Sequence, residues 1–166
     1  MNVETQLKEL EFVERNLHTN NTYEKEFFTF NKDNAIKALC FLIDNAKQSI
    51  EIYHKPLTDK EENLQQNVVL KSLQKNKNIK IKYYTNFKTN DEPSLIKSHI
   101  NPNTEIINLN LGEKVTYHHK EMIIDNKYTI ITSMNFLTNS VTGNTEKQCV
   151  LLENFSIWIK KRSEQK

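Results

Sequence analysis

Glycine is nearly absent from this chain: 166 residues carry two, alongside three prolines, two cysteines and one tryptophan. Turns that need a positive backbone angle must therefore rest on other residues, and the many asparagines are the natural candidates. The two cysteines, Cys40 and Cys149, lie in apolar periodic segments without metal-ligand spacing. That pattern argues for two buried thiols in a reducing compartment rather than for a metal module. No apolar run reaches the length of a membrane span, and the opening MNVETQLKELEF has no signal-type apolar core. A cytoplasmic location without a stable membrane anchor is expected. Repeats, linkers and low-complexity tracts are also lacking.

An excess of one charge is missing as well. A net charge of +2 and a pI near 8.4 are too mild to announce a nucleic-acid binder. Arginine is limited to Arg15 and Arg162; lysines crowd at Lys71, Lys75, Lys77, Lys80 and Lys82 and again at Lys160 and Lys161. Such runs ordinarily form solvated faces. What remains, 37% apolar and 27% charged residues in 19.6 kDa, suits one soluble, well-cored domain.

Hydrophobic periodicity divides the chain into alternating elements. Val3, Leu7 and Leu10 recur at helical spacing, so residues 3–16 read as an amphipathic helix, and residues 1–22 as a helical extension preceding the domain of residues 23–166. YEKEFFTF at 23–30 reads as a short strand. Ala35, Ala38, Leu39, Leu42, Ile43 and Ala46 mark a helix after polar capping residues, and SIEIYH at 49–54 a strand, with His54 either facing a site at the strand end or, the preferred reading, a satisfied structural histidine. A helix over 60–75 and a strand in NIKIKYYT at 78–85 complete a strand–helix–strand unit, which implies parallel pairing and a right-handed crossover. A short helix at 94–100 and strands at 104–109, 114–118, 120–125, 128–132 and 147–152 follow. FSIWIKKR at 155–162 reads as a terminal amphipathic helix. The fold class expected is α/β, a mixed, largely parallel central sheet flanked by helices.

The chemistry concentrates between His118 and Glu146. Lys120 follows His118 by two residues, Asp125 by seven, Ser133 by fifteen, Asn135 by seventeen and Glu146 by twenty-eight. Alternation on one strand would place His118 and Lys120 on one face, a nucleophile beside a phosphate-binding cation, and His119 on the other. Ser133 and Asn135, after the next strand, can donate to non-bridging oxygens, and a carboxylate such as Glu146 can hold the second nitrogen of a histidine. Asp125, followed by Asn126, is expected to support the motif structurally.

This pattern, H-x-K, then aspartate, then Thr132-Ser133-x-Asn135, and finally Asn144-Thr145-Glu146, resembles the signature of the phospholipase D superfamily. The later glutamate element is similar to that of its branch of small bacterial endonucleases. Thr132 stands where the family has glycine. The opening AIKALCFLIDNAKQSIEIYHKPLTD also looks like the family's first helix and strand, so the resemblance runs from about Phe27 onward and leaves residues 1–22 outside. It implies a phospholipase D-like phosphodiesterase domain that uses no metal and no cofactor. His118 would attack phosphorus, Lys120, Ser133 and Asn135 would bind phosphate, and Glu146 would orient the histidine. Since the chain has one such motif, the resemblance implies a half-unit that dimerises to bring two His118 side chains into one site. A non-specific endonuclease cleaving DNA or RNA is the function expected. The alternatives are a phospholipid hydrolase and a catalytically silent nucleic-acid-binding module.

Overall fold

The computed structural model describes residues 2–58, 64–138 and 151–162. Its elements in chain order are α1 (Val3–Glu9), β1 (Val13–Asn16), β2 (Tyr23–Phe28), α2 (Lys32–Asp44), β3 (Ser49–Tyr53), a 3-10 turn (Leu64–Gln66), α3 (Val68–Lys75), β4 (Lys80–Thr85), α4 (Pro93–His99), β5 (Glu105–Asn108), β6 (Glu121–Ile124), β7 (Tyr128–Thr132) and β8 (Phe155–Lys160). The strands form one eight-stranded sheet in the order β1-β2-β8-β7-β6-β3-β4-β5.

The mixed α/β architecture is the one expected, but its balance is different. Only β3–β4 and β4–β5 are parallel; the remaining neighbours are antiparallel, so the sheet is not largely parallel. Parallel pairing is confined to the segment whose crossovers carry helices, because only a long connection returns a strand in the same direction. Right-handed crossovers through α3 and α4 put both helices on one face. A hydrogen bond from Gln74 Nε2 to the His99 carbonyl, 2.6 Å, ties the two together. Beneath them Ile50, Ile52, Ile81, Tyr83, Met122, Ile124, Ile130 and Ile157 join Ala35, Leu39, Leu42, Leu70 and Leu73 in the core.

Three expected elements are corrected. The helix over 3–16 stops at Glu9, because Glu11 takes a positive φ of 62° and the chain returns as β1, paired antiparallel with β2. This first segment therefore supplies an edge strand and places Leu7 and Phe12 in the core. FSIWIKKR is not a helix but β8, buried between β2 and β7. Its burial alternates, with Phe155, Ile157 and Ile159 inside and Ser156, Trp158 and Lys160 half-covered, a period of two that overrides the helical reading. Residues 114–118 form no strand, and β6 begins only at Glu121. Of the expected strand at 147–152, residues 147–150 lie outside the described residues, and Leu151 makes an isolated bridge with Asn31. Of the helix over 60–75, the described part is the 3-10 turn and α3, capped by Asn67.

Asparagine does replace glycine at turns. Asn110 and Asn126 adopt positive φ, as does Asp125, whereas Gly112 is the one described glycine that does so. Asp125 and Asn126 are consecutive, at 55° and 52°, the pair of left-handed positions that a tight β6–β7 hairpin turn requires. Cys40 is half-buried in α2, and that burial raises its thiol pKa; Cys149 lies outside the described residues.

Candidate active site

The candidate site is assembled at the end of the sheet where β3 and β4 finish, β6 begins and β7 ends. In register, Tyr53 pairs with Tyr84 on one side and Glu121 on the other. The next position on each strand brings Thr85, His54 and Lys120 into one row, and the Thr132 amide donates to the Lys120 carbonyl at 3.3 Å to continue it. Because side chains alternate, this row falls on the same face as Ile52 and Met122, the helix-covered face.

His118 and Lys120 precede β6, and, counted back from Met122, both have the parity of that face. The Lys120 ammonium donates to the His118 carbonyl at 2.6 Å. Partial burial, and then the nearby charge of Lys55, lower the Lys120 pKa. His118 is exposed. His119 has opposite parity and contacts outer-face residues: its Nε2 lies 2.7 Å from Glu121 Oε1, and its ring meets Tyr53 and Tyr117 edge-on.

The turn after β7 is held from several directions. Thr132 Oγ1 donates to the Asn154 carbonyl at 2.9 Å and accepts from the Met134 amide at 3.0 Å, so the residue standing in the usual glycine place is buried and fastens the turn. Ser133 donates to the same carbonyl through its amide at 3.2 Å and its hydroxyl at 3.3 Å. Asn135 follows, half-buried. Behind it, buried Asn67 donates to the carbonyls of Phe136 and Thr138 at 3.1 and 2.6 Å while capping α3. On the other approach, buried Asn86 fixes the loop entering His118, donating to the Gly112 and Val115 carbonyls and accepting from the Leu111 amide.

Asp125 sits at the far end of β6. Its carboxylate accepts from the amides of Lys47, Gln48 and Ser49 at 2.7–3.1 Å, joining the β6–β7 turn to the entrance of β3. It makes no part of the row at the other end. Glu146 lies outside the described residues. The structure thus seats Lys120 beside Thr132, with His118 and the Ser133–Asn135 turn adjoining them along the chain, and sets Asp125 apart.

His54 is the residue that motif reasoning passed over. It is fully buried and its Nδ1 lies 3.0 Å from the Lys55 carbonyl, but Nε2 has no hydrogen-bond partner, contrary to the expectation of a satisfied structural histidine. Burial pushes its pKa down to about 3; the Lys55 carbonyl contact opposes this and the charges of Lys55 and Lys120 add to it. Thr85 Oγ1, its neighbour on β4, is likewise buried without a partner. An unmade buried hydrogen bond costs about 1–3 kcal/mol, so two side by side ask for an explanation. Among the described residues no three His, Cys, Asp or Glu side chains gather so as to hold a metal ion.

Residues 39–157 match the family model described as cardiolipin synthase, PLD-like domain. No curated protein matches the chain. Among solved structures, NucT from Helicobacter pylori is similar with a TM-score of 0.51 at 15% identity, over 81% of this chain and 84% of that one. Phosphatidylserine synthase from Haemophilus influenzae Rd KW20 gives 0.55 at 13% identity, over 95% of this chain and 38% of the synthase. Nuc from Salmonella typhimurium, a phospholipase D family member, gives 0.48 at 20% identity, over 74% and 73%. The first two share the fold of this chain.

Proposed function

Because the chain belongs to the phospholipase D-like family, whose model covers more than half of it, we propose that it is a metal-independent phosphodiesterase, a non-specific endonuclease acting on DNA or RNA. The observation that carries this reading is the junction of Lys120 with the Thr132–Asn135 turn, where the Thr132 amide meets the Lys120 carbonyl. In this reading the cation and the neutral donors of the turn act on one phosphate, which is the main requirement of phosphoryl transfer.

In this reading a His118 ring nitrogen attacks phosphorus, and the bond from phosphorus to the leaving oxygen breaks. His118 of the partner subunit protonates that oxygen, then takes a proton from the water that attacks the phosphohistidine and frees the enzyme. Lys120, Ser133 and Asn135 bind the phosphate oxygens, Glu146 orients the nucleophile, and Asp125 supports the scaffold. One motif per chain makes a homodimer the working unit, and a cytoplasmic setting suits the chain's thiols.

Purified protein incubated with DNA and with RNA in excess chelator is expected to cleave at least one of them, and His118→Ala to lose roughly a thousandfold or more of that rate. No cleavage by wild type, or equal cleavage by the variant, rejects the reading. A second reading, phosphatidyl ester chemistry, is favoured by the lipid synthase in the family model's description. The segment FSIWI, which as a helix could have met a membrane, is a central strand instead. No helix among the described residues is long and apolar enough to cross a membrane. Release of headgroup from liposomes without nucleic-acid cleavage would replace the first reading with the second.

A further inference from the structure

The unsatisfied His54 lies one strand away from Lys120, and its chemistry is narrowly defined. The Lys55 carbonyl can only accept, so the His54 nitrogen 3.0 Å from it, Nδ1, carries the proton. Nε2 is therefore a bare lone pair, on a buried ring that packs edge-on against Phe136 with centroids 5.0 Å apart; Tyr83, whose hydroxyl donates to the Lys55 carbonyl, lies on the Nδ1 side at 3.4 Å. Same-face side chains at directly opposed positions of antiparallel strands have their Cβ atoms about 4.5–5.5 Å apart. The position opposite His54 is Lys120, by continuation of the Tyr53–Glu121 pair. An ammonium has three donors, and Lys120 uses one on the His118 carbonyl.

From this juxtaposition, and resting on the phosphodiesterase reading, we propose that His54 is a positioning residue for Lys120: its Nε2 accepts a second ammonium proton when phosphate enters, leaving the third for a non-bridging phosphate oxygen. Fixed at two points, the ammonium has one direction left in which to donate. The same ring also explains why a histidine rather than an amide or a carboxylate suits the place. It stays an uncharged acceptor at working pH, since protonation would put two cations side by side in a buried spot. The competing explanation is structural: His54 and Thr85 satisfy each other through a buried water and leave Lys120 alone.

The variants separate these. His54→Phe removes the acceptor and fills the space; His54→Asn keeps a polar group near Nδ1 but cannot reach the Nε2 position; His54→Gln places an amide oxygen near it. The primary readout is the ζ-nitrogen NMR signal of Lys120, assigned with Lys120→Arg and followed with inorganic phosphate as the probe. It requires no turnover, so it decides the proposal even if no phosphodiester is cleaved. In wild type and His54→Gln, phosphate is expected to give a sharp, slowly exchanging ammonium signal. In His54→Phe and His54→Asn that signal broadens away and phosphate binds about tenfold more weakly, the size of one lost charge-assisted hydrogen bond. With a chromogenic phosphodiester, kcat falls roughly 10- to 100-fold in these two while KM changes less, and His54→Gln restores most of the loss. Thr85→Val leaves all of these unchanged. If His54→Phe does not fold, His54→Asn carries the comparison. An unaltered Lys120 signal and phosphate affinity in the acceptor-free variants overturns the proposal, and so does a Thr85→Val variant that reproduces their losses.

Discussion

The two ends of strand β6 satisfy their polar groups in opposite ways. At the Asp125 end, one carboxylate accepts from three successive amides and leaves nothing open. At the Lys120 end, His54 and Thr85 are buried with polar atoms unpaired, and a lysine is partly stripped of water beside another. A scaffold closes its hydrogen bonds, because each open one costs stability; a site that is to receive a ligand keeps some open. The contrast separates two residues that sequence spacing groups together. Asp125 belongs to the motif by position, while its bonds all run to the β3 entrance, away from the candidate phosphate pocket.

That contrast is broken most forcefully at the satisfied end. Asp125→Asn keeps a side chain that tolerates the left-handed backbone but replaces charge-assisted acceptance with a weaker, half-mismatched amide. It is expected to cost about 3 kcal/mol in urea unfolding, while kcat per folded molecule stays within about twofold of wild type. A loss of turnover with unchanged stability would move Asp125 into the reaction.

At the open end the effect depends on pH. The folded His54 pKa is about 3, below its ordinary 6.5, so the unfolded chain binds the proton first as pH falls. Stability tied to the neutral ring is complete above about 6.5 and is lost progressively down to about pH 3. Between pH 7.5 and pH 5 this amounts to about 2 kcal/mol in wild type. His54→Phe is expected to flatten that part of the profile, measured by urea unfolding at each pH. An identical slope in the variant would show that the ring is not held neutral.

The smallest effect belongs to the turn after β7, at the Lys120 end. Thr132→Gly removes a hydroxyl that both donates to Asn154 and accepts from Met134, and adds backbone freedom. A stability loss of about 1–2 kcal/mol is expected, with less than threefold change in kcat. A large gain in kcat would instead mean that the threonine crowds the phosphate.

Much of this was legible in the residues themselves. Helix α2, the crossover unit β3–α3–β4 and the hairpin at Asp125–Asn126 follow from local periodicity and turn chemistry, and the motif spacing pointed to Lys120 and the Ser133 turn together. FSIWIKKR misled because its apolar residues fit a helix nearly as well as a strand, and the deciding partners, β2 and β7, lie far away in sequence. The first segment misled for a related reason: Glu11 takes a backbone angle rare for glutamate, and nothing local announces it. The openness of His54 could not be read at all, since it depends on which donors fail to reach a ring, a property of the packed molecule alone.

The place of β8 also governs how the chain can be built. β1 and β2 form a two-stranded ribbon whose one further sheet neighbour among the described strands is β8. Isolated ribbons of that size are marginal in water. During synthesis, then, β1 and β2 emerge well before β8 and have an unfinished edge, with the apolar side chain of Phe27 uncovered, until that distant segment closes the sheet. Long-range closure of this kind is slow and leaves sticky intermediates, which makes β8 the point at which a newly made chain becomes committed to its final form.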